Sequence, residues 1–75
     1  MQIFITRLNK LLEENKISRY RLAKDINVSN QAVLWWCSGV NEPKISYLKK
    51  LAEYFDVTCD YLVGLEDENG TKTRT

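Results

Sequence analysis

The chain contains no histidine. A structural zinc site would have to recruit carboxylates beside the two cysteines, which such sites rarely do. Cys37 and Cys59 also lack CxxC spacing, and free cysteines of this kind are usually small, reduced core residues. With no histidine, no nucleophile–base pair and no phosphate-cradling loop, neither enzyme activity nor a cofactor or metal is expected. The longest apolar run, Ala32 to Cys37, is far too short to span a bilayer. Ile3, Phe4 and Ile5 are followed at once by Thr6 and Arg7, which leaves no apolar core for a secretory leader. The expectation is a cytoplasmic protein with no membrane association and no small-molecule ligand. No repeat or low-complexity tract is seen.

What is present suits one small globular domain: 44% of the residues are apolar. The net charge of +1 is weak for a nucleic-acid binder, but it is unevenly spread. Residues 1–50 carry nine Lys and Arg against four acids, a net of +5, and residues 51–75 carry two against six, a net of −4. Such asymmetry suggests a basic face and an acidic back.

Apolar spacing of period 3.6 predicts five helices, at about Phe4–Asn15, Arg19–Ile26, Asn30–Cys37, Ile45–Phe55 and Cys59–Val63. In the first, Phe4, Leu8, Leu11 and Leu12 line one side, while Arg7, Lys10, Glu13 and Glu14 are expected to face water. Ser18, Ser29 and Thr58 stand where N-caps belong, and Gly39 and Gly64 where helices close. Lys44 is a poor cap for the fourth helix. Residues 1–65 are expected to form the domain and residues 66–75, which hold no apolar side chain, a polar flexible tail.

The stretch 18–39, SRYRLAKDINVSNQAVLWWCSG, organises the rest. Leu22, Ala23 and Ile26 form one apolar face, and Val33 and Trp36 another. Asn27 lies between them, at a joint needing the left-handed conformation that Asn readily takes. Two helices packed across such a short joint make a helix-turn-helix.

Here the sequence resembles the Cro/repressor-type (XRE-like) helix-turn-helix regulators. Ala23, Asn27 and Val33 match that family's small residue, turn residue and apolar residue in spacing. Pro43 and the segment 48–65 look like its fourth and fifth helices. The resemblance covers roughly residues 4 to 65. It implies an all-α, compact five-helix Cro/repressor-like (lambda repressor-like) DNA-binding domain. It also implies a transcriptional regulator, most often a repressor, that reads double-stranded operator DNA as a homodimer.

In this motif the second helix enters the major groove N-terminus first. The outward positions of the third helix are Asn30, Gln31, Leu34, Trp35 and Ser38; the first four are the candidate base readers. Gln31 matches a family position that reads bases, and an amide pairs bidentately with adenine. Phosphate contacts are expected from Arg19, where the family usually has Gln, and from Ser29, Ser38 and Lys44. Tyr61, Leu62 and Leu65 are the candidate dimer residues, although Leu62 also fits a place in the core.

Three departures from the family stand out. The third helix carries no charge, Glu42 replaces a residue that is often basic, and Leu34 and Trp35 are apolar where relatives are usually polar. Those two side chains fit contact with thymine methyls, an exposed patch that binds a protein, or, for Trp35, packing over the following loop. The second keeps open a protein-interaction module or antitoxin-like co-regulator that uses the exposed Leu34/Trp35 surface. The resemblance also implies that a buried Arg–Glu pair of the relatives is replaced here by Leu12 and Cys37, both core residues.

Overall fold

Each helix stops where its local chemistry stops it. The computed structural model describes residues 2–67. Its helices are α1 (Gln2–Glu14), α2 (Arg19–Asp25), α3 (Asn30–Ser38), α4 (Ile45–Phe55) and α5 (Cys59–Val63). The side-chain oxygens of Ser18, Ser29 and Thr58 accept from the backbone N–H groups of Arg21, Ala32 and Tyr61, each at 3.0 Å. These bonds satisfy donors that a helix start otherwise leaves unpaired. Lys44 stands at the N-cap of α4 and makes no side-chain capping bond.

The five C-terminal ends share one device. Lys16, Asn27, Gly39, Asp56 and Gly64 all have positive φ. The next residue's N–H then reaches back five positions: Ile17 to Leu12, Val28 to Ala23, Val40 to Trp35, Val57 to Ala52 and Leu65 to Asp60, at 2.8–3.0 Å. This is the Schellman closure, and the residue making it is apolar every time. Glycine is needed at two of the ends for space as well as conformation. A Cβ at Gly39 would lie 2.7 Å from Ile5 Cδ1, and one at Gly64 would lie 3.0 Å from Ile3 Cδ1.

The core is filled from every helix. Phe4, Leu8, Leu11 and Leu12 of α1 meet Leu22 and Ala23, Ile26, Val33, Trp36 and Cys37, Leu51 and Ala52, and Leu62. Large side chains buried this way each contribute about 1.5–3 kcal/mol. Trp36 packs at 5.8 Å between ring centroids on Tyr47. α2 packs on α3, α1 supports both α3 and α5, and α4 packs on α5. The α2–α3 pair therefore sits on a platform of the other three helices.

The helix borders differ little from those read in the sequence. α1 starts at Gln2 and ends at Glu14, and α3 runs on to Ser38. The larger difference is Arg7, which is buried at 9% exposure instead of facing water. Its guanidinium donates to the carbonyl of Tyr61 and, at 2.6 Å, to that of Glu66. It also lies 4.3 Å from the centroid of the Tyr61 ring. Those partners come from the end of the chain, which helical periodicity around Arg7 does not reveal.

Asn9 is a second polar tie: its amide donates to Ile5 at 2.9 Å and to the Cys37 carbonyl at 3.1 Å, closing one of the last acceptors of α3. Glu66, assigned by composition to the polar tail, is buried and accepts from the Thr58 hydroxyl. Asp67 is half-buried, and residues 68–75 of that expected tail lie outside the described residues.

Candidate nucleic-acid interface

The joint between α2 and α3 is Asn27, at φ +59°, followed by Val28. Leu22, Ala23 and Ile26 on one side and Val33, Trp36 and Cys37 on the other turn inward and are buried. This leaves Asn30, Gln31, Leu34, Trp35 and Ser38 exposed on the opposite face of α3. Leu34 is 40% and Trp35 41% exposed. Neither is core. Trp36, one residue on, is core at 4%, the contrast that a 100° turn per residue produces.

The expected phosphate contacts divide by what their donors already do. Ser29 caps α3 through a lone pair, so its hydroxyl proton remains available to an anion. Ser18 is in the same position at α2. Ser38 instead donates its hydroxyl to the Leu34 carbonyl at 2.9 Å, so that donor is engaged within the helix. Lys44 is exposed just before α4. Arg19 is exposed at the start of α2 and forms no ion pair among the described residues. Burial pushes the Cys37 thiol up from its ordinary value, and the positive charge of nearby Arg19 only partly opposes the shift.

The proposed dimer residues separate. Leu62 is 0% exposed and belongs to the core, so it is corrected out of any interface: the period of α5 turns it inward. Tyr61 is partly buried and engaged by Arg7. Leu65 remains exposed. Ile3, which the sequence did not single out, is also exposed and lies against Gly64, next to Leu65 in the chain. Tyr20 is a further exposed aromatic, on α2, that no periodic signal had marked.

Among the described residues no group of three His, Cys, Asp or Glu is placed to hold a metal ion. Nor is any of their helices long and apolar enough to cross a membrane.

A capped helix pair with one buried and one open face, set on three supporting helices, defines a helix-turn-helix DNA-binding domain. The helix-turn-helix family profile matches residues 8–62. The chain belongs to that family, as an XRE-type, non-enzymatic DNA-binding regulator of transcription.

Two solved structures are similar over most of its length. One is the SOS-response transcriptional repressor LexA from Eubacterium rectale, at 28% identity and a TM-score of 0.82, covering 99% of this chain and 77% of that one. The other is a transcriptional regulator from Listeria innocua, at 34% identity and a TM-score of 0.78, covering 87% of this chain and 61% of that one. No curated protein matches the chain.

Proposed function

We propose that this protein represses transcription by binding a two-fold operator as a homodimer, with α3 of each copy in the major groove. The observation that carries the reading is the face of α3. Asn30, Gln31, Leu34 and Trp35 are all exposed on a helix whose opposite side is locked into the core. Arg19, Lys44 and the hydroxyl proton of Ser29 supply phosphate contacts around it, which fix register without reading sequence. The likeness to a repressor supports repression over activation. A two-fold site calls for a two-fold protein, and Leu65 with Ile3 supplies an exposed apolar patch for the contact.

A second reading is favoured by the exposure of Leu34 and Trp35: a protein-interaction module or antitoxin-like co-regulator that docks through them. A salt-dependent gel shift on the DNA upstream of the protein's own gene, with sedimentation of the free and bound protein, separates the two. Retarded bands that weaken with salt and a dimer on a palindromic duplex support operator binding. A strict monomer in both states overturns the dimer, and no DNA binding at low salt leaves the docking role.

A further inference from the structure

We propose that α3 selects A·T pairs, with Leu34 and Trp35 packing on the 5-methyl groups of thymines in the major groove. The inference rests on operator reading by α3 and goes beyond it by naming the bases.

Each major-groove edge has a preferred side-chain partner. Guanine O6 and N7 are read most often by Arg or Lys, and the cytosine amino group by Asp or Glu. α3 carries none of these from Asn30 to Ser38. The amides of Asn30 and Gln31 fit adenine N6 and N7. Leu34 and Trp35 fit the one apolar group that any base presents there, the thymine methyl. Ser38 adds no donor, because its hydroxyl is given to the Leu34 carbonyl. Every open group on the helix thus suits one strand or the other of an A·T pair.

The arrangement along the helix is as informative as the composition. Residues four apart share a row on a helix surface. Asn30 lies one turn before Leu34, and Gln31 one turn before Trp35. Two parallel rows therefore each present an amide and then an apolar group, as adenine and thymine edges at successive steps would require.

The test begins with duplexes selected from a random library by the full chain. Each thymine in the selected half-site is then replaced by deoxyuridine, which removes only the methyl group. Binding should fall about fourfold at one or two positions in each half-site, the effect of a buried methyl-sized group. Trp35→Ala or Leu34→Ala should erase the sensitivity at its own position. The uracil series on the unaltered protein stands by itself if a variant fails to fold.

Selective binding with no uracil effect anywhere, or selected half-sites dominated by G·C, overturns this inference and leaves operator reading intact. The absence of any selective duplex overturns operator reading itself, and this inference with it. Self-association without DNA that Trp35→Ala abolishes would assign the apolar pair to a second copy and also overturn it.

Discussion

The Tyr54 hydroxyl donates to Asp25 Oδ2 at 2.6 Å and so ties α4 to the last residue of α2. Arg21 Nε donates to the same oxygen at 2.8 Å. The Tyr54 hydrogen bond is the main reason that Asp25 is held below its ordinary value of 3.8; desolvation opposes it and Arg21 adds to it. Tyr54 is pushed above its ordinary 10.0 by the same bond.

A depressed carboxylate contributes stability above its unfolded pKa and loses it as pH falls through the lower folded value. A raised tyrosine contributes below its unfolded pKa and loses it as pH rises through the higher folded value. The Asp25–Tyr54 bond is therefore at full strength across neutral pH and fades at both extremes. Tyr54→Phe should raise the Asp25 pKa in an NMR titration. Its urea midpoint should lie below that of the unaltered protein at neutral pH and converge with it in acid. An Asp25 pKa unchanged by Tyr54→Phe would show that the bond does not form.

Cys37 is buried beside Arg19, and the family resemblance places a Glu at its position. A buried charge left without a partner costs about 3–5 kcal/mol. Cys37→Glu should cost that much in an Arg19→Ala background and clearly less with Arg19 present. Adding Leu12→Arg should recover stability in both. Urea unfolding of the set at neutral pH decides, and equal costs with and without Arg19 would refute the pairing.

Arg7 donates to the carbonyls of Tyr61 and Glu66 and so ties α1 to the residues around α5. Replacing it with Met should lower stability by about 3–6 kcal/mol, since two hydrogen bonds from a charged donor are lost and each is worth about 1.5–3. Arg7→Lys should recover only part, because an ammonium lacks the planar fork and the stacking on Tyr61. Thermal denaturation measures both. DNA affinity of the folded Arg7 variants should be unchanged.

Arg19→Ala and Lys44→Ala should weaken binding to all duplexes alike. Each should reduce the salt slope by about 0.9 per lost contact, hence about 1.8 for a dimer. Ser29→Ala should lower affinity and cost about 1 kcal/mol of stability through the lost cap. Ser38→Ala should leave affinity intact, because its proton already belongs to Leu34. Titrations of binding across salt concentrations check all four.

Much of this architecture is legible in the residues. The spacing of apolar side chains places all five helices within two residues of where they lie. Ser18, Ser29 and Thr58 announce the starts, and Asn27 announces the joint. The outward face of α3 follows once Val33 and Trp36 are assigned inward. Asp56 and Lys16 were harder to see as helix ends, because a charged residue with positive φ carries no distinctive signature. Arg7 and Asn9 could not be read at all: their partners lie far along the chain, where only the packed fold brings carbonyls to them. Leu62 is ambiguous because four of the five residues of α5 are apolar, and so short a helix has no period to say which of them faces inward.

The closing turns at the five helix ends have a kinetic consequence. Each boundary is set by bonds that span six residues or fewer, so a helix finds its limits before distant parts of the chain arrive. The joint of α2 and α3 is of this kind, and that pair can assemble as a local unit. Chains dominated by such short-range closure cross their folding barrier in about microseconds to milliseconds. The angle between α2 and α3 is then settled early, by Asn27 and its neighbours, and the platform of α1, α4 and α5 fixes it in place.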